Sequence, residues 1–131
     1  MNELKYKSSF NSASADLLIE KTYYASSIHC SYYSSLQLAK HILLNTYQIK
    51  ESTFNSYPEG SHEFIKNEIS KKISSELKDR QESANFNTLF SLLKKIRKEA
   101  DYSEIQIDIS KANNSVKLSK DLNRILNRFS K

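Results

Sequence analysis

The chain has 131 residues, a formal net charge of +5, and only one Gly, one Pro and one Cys. That length fits a single domain, residues 1–131. The scarcity of Gly and Pro excludes the many tight turns of a sandwich or barrel, and one cysteine excludes an internal disulfide framework and any cysteine-based zinc cluster.

Five helical segments follow in chain order. The first spans about Glu3 to Glu20, with Leu4, Phe10, Ala13 and Leu17 loosely periodic. The second spans about Tyr23 to Tyr47, with Thr22 as its expected N-cap. Its main stripe is Tyr24, Ile28, Tyr32, Leu36, Ala39 and Leu43, and a second row, Tyr23, Ser27, Cys30, Ser34, Leu38 and Ile42, runs beside it. An apolar surface that wide predicts contact with several neighbours and makes this the central helix. The stretch from Gln48 to Ser61 holds the only Pro and the only Gly and is expected to be the one long loop. Ser61 is the expected cap of a third helix with Ile65, Ile69, Ile73 and Leu77 on one side. KDRQESAN reads as a polar break, with Asn85 capping a fourth helix whose stripe is Phe86, Leu89, Phe90, Leu93, Ile96 and Ala100. SEIQIDI alternates apolar and polar and predicts an extended connector. Ser110 is the expected cap of the last helix, with Leu118, Leu122, Ile125 and Phe129 inward. The fold class is therefore all-α, an up-and-down bundle of four to five helices.

Charge is distributed unevenly. Met1 to Leu93 carries ten Lys/Arg and ten Asp/Glu, whereas Lys94 to Lys131 carries ten against five. A basic region of this kind attracts polyanions, nucleic acid above all. No apolar run reaches the roughly 20 residues that span a bilayer, and MNELKYKSSFNS lacks the apolar centre of a signal peptide, so no membrane association and a cytoplasmic location are expected. One glycine leaves no phosphate-binding loop. His29, His41 and His62 show no metal-ligand spacing, so neither a metal nor a cofactor is expected. No G-x-S-x-G elbow supports serine hydrolysis.

KKIRKEADYSE, residues 94–104, holds the remaining chemistry. Arg97 and Asp101 are four apart on a helix and can pair. The acid follows the base, the weaker order for simple helix stabilisation. Arg97 also follows Leu93 and Ile96, at the edge of the buried stripe, where a guanidinium needs a carboxylate, a carbonyl or a phosphate.

Three quoted stretches resemble the HEPN superfamily (higher eukaryotes and prokaryotes nucleotide-binding domain). KTYYASSIHCSYYSSLQLAKHILL resembles its long helix, SHEF resembles the stretch before its third helix, and LLKKIRKEADYSE resembles its R-x-x-A-D-Y motif. The similarity covers roughly Lys21 to Leu126. It implies an α-helical bundle, a homodimer, and work on RNA or a nucleotide. It also implies a place in a toxin–antitoxin or defence pair, with a small nucleotidyltransferase-type protein as partner. Catalytic members are metal-independent ribonucleases with R-x(4–6)-H, in which the Arg stabilises phosphate charge and the His moves protons. Here Arg97 matches the Arg, KEAD intervenes, and Tyr102 stands where the His is expected. A phenol, with an unperturbed pKa of about 10, is a poor general base near neutrality.

The candidate binding residues are accordingly Arg97, Asp101, Tyr102, Lys94 and Lys98, with His62, Tyr32 and Tyr33 as accessories. Arg97 is the one candidate for a catalytic role. Three readings follow: a binding module for RNA, a nucleotide or a partner protein; a divergent ribonuclease in which His29, His41 or His62 replaces the missing base; and a helical scaffold tied together by Arg97–Asp101.

Overall fold

A computed structural model describes residues 2–129. The chain forms an all-α bundle of six helices: α1 (Glu3–Glu20), α2 (Tyr24–Asn45), α3 (Glu51–Asn55), α4 (Ser61–Glu76), α5 (Arg80–Tyr102) and α6 (Ile109–Leu126), with a 3-10 turn over Asn127–Phe129. No strand occurs among the described residues, and none of their helices is long and apolar enough to cross a membrane.

Helix α2 is the hub and packs on α1, α4, α5 and α6. Its surroundings divide by chemistry. Towards α4 and α5, Ile28, Tyr32, Leu36, Ala39 and Leu43 join Ile65, Ile69, Ile73, Phe86, Phe90 and Leu93 in one apolar cluster, which Leu118, Leu122 and Ile125 of α6 complete. Towards α1 and part of α6 the contact is made by serines. Ser8 Oγ donates to the Ser34 carbonyl at 2.6 Å, and Ser27 Oγ donates to the Ala15 carbonyl at 2.7 Å. Ser35 Oγ meets Ser119 Oγ at 2.9 Å, and Asn123 Nδ2 donates to Ser34 Oγ at 3.1 Å. Small side chains let the helices approach closely, and each buried hydroxyl that finds a partner avoids the desolvation cost of an orphan.

Helix α1 departs from the sequence expectation. Ser8 and Ala15 are its buried residues, while Phe10, Ala13 and Leu17, read as its periodic row, are exposed. Pattern alone cannot separate an apolar stripe from a serine face when both run at helical spacing.

The helix ends differ in detail as well. Asp79, not Asn85, caps α5 by accepting from the Glu82 amide at 2.9 Å. Asp–x–x–Glu at 79–82 follows the capping-box spacing, so the helix begins within the stretch read as a polar break. Asp108, not Ser110, caps α6, accepting from the Lys111 amide at 2.9 Å. Thr22 adopts φ +64° before α2, whose cap position is Tyr23 with no side-chain bond. Gly60, at φ +97°, takes the cap position of α4, and Ser61 is the first helical residue. A left-handed φ favours glycine there. The long loop contains α3, whose Phe54 is buried against Phe64 with ring centroids 5.2 Å apart. SEIQIDI is non-helical from 103 to 108, as the alternation predicts.

The serine seam has a measurable consequence. Ser27→Leu replaces a fully buried hydroxyl that reaches the Ala15 carbonyl at 2.7 Å with a bulkier side chain, and should lower the unfolding free energy by about 1–3 kcal/mol. Ser75→Leu, on an exposed position of α4, should stay within about 0.5 kcal/mol. Urea denaturation followed by circular dichroism compares the two, and equal midpoints would mean that the seam is not close-packed.

Candidate functional site

The site grows from Arg97. The α5 stripe carries it inward one position after Ile96, and it is 6% exposed. A guanidinium stays charged at any pH a protein tolerates, so its burial demands compensation. Part comes from Asp101, one turn on, whose Oδ2 accepts from Nη1 at 3.4 Å. Part comes from α2, where the guanidinium carbon lies 4.7 Å from the Tyr32 ring centroid and 5.8 Å from that of Tyr33. The negative faces of these rings stabilise the cation. Nε is buried with no hydrogen-bond partner.

Two histidines flank this centre. The Tyr32 hydroxyl is 2.9 Å from His62 Nδ1, at the start of α4. Burial, reinforced by Arg97, Lys94 and Lys98, pushes the His62 pKa down to about 4. Burial likewise drives the Tyr32 phenol well above its usual range, against the pull of Arg97. Both groups are thus uncharged at neutrality. The phenol can then donate to Nδ1 and leave the imidazole proton on Nε2. On the other side, His29 Nδ1 is 3.2 Å from Asp101 Oδ2, and its ring lies 4.6 Å from that of Tyr33. Asp101 therefore joins Arg97 to His29. Its carboxylate borders a hollow of about 340 Å³ lined by Ala25, Ser26, His29 and Cys30.

A larger groove, about 460 Å³, lies between α4 and α5 beside His62. Lys66, Lys94, Lys95 and Lys98 line it, against Glu63 and Glu99. Glu63 sits between Lys66 and Lys94, 2.9 Å from each, and their hydrogen bonds hold its carboxyl below the ordinary range. Lys95 and Lys98 have no carboxylate partner among the described residues, so the groove is positive.

Of the residues singled out in the sequence, Arg97, Asp101, Tyr32, Tyr33 and His62 converge, and Lys94 and Lys98 line the adjoining groove. Tyr102 does not join them: it is 78% exposed, with its side chain in none of the hydrogen bonds among the described residues. Five positions beyond Arg97, a helical residue has turned to another face. His41 is remote as well, bonded to Asn45 one turn away on α2. The sequence reading did not include Lys95, and it did not bring Glu63 and Lys66 of α4 to Lys94 or pair His29 with Asp101, because those last contacts join different helices. A helical wheel of α5 would have set Lys95 near Lys98. Nothing local marks Lys66 or Glu63. Among the described residues no three His, Cys, Asp or Glu side chains converge as a metal site.

No family model, curated protein or solved structure matches the chain.

The depressed His62 pKa has a pH signature. An unfolded histidine titrates near 6.5, and the folded one near 4. Above pH 6.5 both states hold the neutral ring and the fold incurs no penalty. As pH falls from 6.5 towards 4 the unfolded chain takes up a proton that the folded one refuses, so stability declines through that window. The stability of wild type relative to His62→Gln should therefore fall between pH 6.5 and 4. An NMR titration should place the His62 midpoint near 4; a midpoint above 6 would show that the ring is not enclosed as described.

Proposed function

We propose that this protein is a HEPN-like binding module for RNA, holding the strand in the α4–α5 lysine groove with the Arg97 cluster at its edge. The observation that carries this reading is the convergence of four lysines on one groove beside a buried arginine and a half-buried, uncharged imidazole. Lysines supply phosphate attraction without sequence preference. The buried guanidinium supports the same reading. A buried ion pair adds little net stability over apolar side chains of similar volume, so stability alone is a weak reason for Arg97.

For single-stranded RNA the logarithm of affinity should fall with the logarithm of salt concentration by about 0.7 per phosphate contacted. Three or four contacts in this groove give a slope of about −2 to −3, measurable by fluorescence anisotropy with a short oligonucleotide. Lys98→Glu should weaken binding at least tenfold and flatten the slope. A slope of zero would remove RNA as the ligand. Arg97→Met separates binding from scaffolding: the fold should hold while affinity drops. Lost stability with unchanged binding would instead make Arg97 a structural tie.

A second reading, a metal-independent ribonuclease, draws on the two histidines that flank Arg97. One imidazole would take the ribose 2′-OH proton as O2′ bonds to phosphorus. The other would protonate O5′ as the P–O5′ bond breaks, with Arg97 stabilising the charge between them. Cleavage of RNA in EDTA that disappears with Arg97→Ala would select this reading. Intact RNA after long incubation with pure protein would dismiss it.

A further inference from the structure

Lys66 and Lys94 face each other across the groove with their side chains drawn in from water. Each is 17% exposed, whereas Lys71, in the other lysine–glutamate pair of α4, is 73% exposed. An ammonium withdrawn this far needs an anion beside it. Glu63 supplies one with both oxygens, Oε1 to Lys66 and Oε2 to Lys94, each at 2.9 Å. A phosphodiester offers the same device, one negative charge shared between two outward oxygens. The carboxylate itself lines the groove and stays 28% exposed, so an incoming anion can reach it.

We propose that Lys66 and Lys94 form a phosphate subsite of this groove, and that Glu63 occupies the subsite until an RNA phosphate displaces its carboxylate. The inference rests on the RNA reading above, to which it adds a seat and an internal competitor. Lys95 and Lys98, with no carboxylate partner among the described residues, meet the strand first. The seat between Lys66 and Lys94 then fills by exchange.

Exchange is favoured because one anion replaces another, so neither withdrawn ammonium is left unpaired. The displaced carboxylate also has a second place to go. Glu63 is the third residue of α4, and Gly60, at the cap position, has no side chain to satisfy the first-turn amides. A glutamate at the third position can turn back towards those amides, where the helix field favours an anion. The competitor is a full charge at neutral pH, since hydrogen bonds from Lys94 and Lys66 hold the Glu63 carboxyl below its ordinary range. Glu99, the other acid of the groove, does not block it: its ion pair is with Lys111 of α6, at 3.9 Å, and Lys111 lies outside the lining.

Fluorescence anisotropy with a short single-stranded RNA oligonucleotide tests the exchange. Glu63→Gln keeps the shape of the side chain and removes the competing charge. It should raise affinity about fivefold, the worth of a partly exposed ion pair. It should also steepen the salt slope by about 0.7, one further phosphate neutralised. Glu63→Asp preserves net charge but is one methylene too short to bridge both lysines, and should raise affinity about twofold. A change in the overall charge of the groove cannot produce that second gain, and Glu63→Asp decides the matter should Glu63→Gln fail to fold by circular dichroism. Lys66→Gln added to Glu63→Gln should abolish the gain, and Glu99→Gln should leave the slope unchanged. Wild-type binding that Glu63→Gln and Glu63→Asp leave equal or weaker would overturn the subsite while the RNA reading stands, as would a Glu99→Gln variant with the same gain and slope as Glu63→Gln. Absence of salt-dependent binding by wild type and Glu63→Gln alike would remove both.

Discussion

A permanent positive charge buried in a bundle of about 130 residues is the constraint around which the rest of this structure is arranged. Taking a guanidinium out of water costs several kcal/mol unless partners are already in place. Arg97 finds them on two helices. Asp101, four residues on along α5, supplies an anion, and Tyr32 and Tyr33 of α2 supply two aromatic faces. Those contacts hold α5 in register against α2. The Tyr32 hydroxyl then reaches His62 and draws in the start of α4. Three helices thus meet around one side chain, while Nε, left without an acceptor, makes the arrangement a poor choice for stability alone.

Helix α2 can serve that role because it is packed in two different ways. Its apolar side meets α4 and α5 through Ile, Leu and Phe, where shape complementarity dominates. Its serine side meets α1 and α6 through paired hydroxyls at short range. The serine seam satisfies polar groups without demanding apolar surface from α1. That helix is consequently free to turn Tyr6, Phe10 and Leu17 outward.

Electrostatics give the Arg97 region its chemical character. Burial, reinforced by Arg97, Lys94 and Lys98, holds His62 uncharged at neutral pH, while Glu63 anchors Lys66 and Lys94 and fixes the groove wall. Lys95 and Lys98 have no carboxylate partner among the described residues and leave the groove positive.

The sequence by itself determined the all-α class, the five long helices, the extended 103–108 connector and the inward stripes of α2, α4, α5 and α6, because each depends on spacing within one segment. It also placed Arg97 at the edge of a buried stripe with Asp101 one turn away. Only the tertiary structure decided that Tyr32 and Tyr33 cover the guanidinium, that His29 and His62 stand on either side, that Tyr102 points away, and that α1 faces inward with its serines. Those outcomes join residues up to 72 positions apart, as for His29 and Asp101. Local periodicity holds no information about which helix face meets which, and small side chains packed against small side chains leave no apolar signal for a pattern to register.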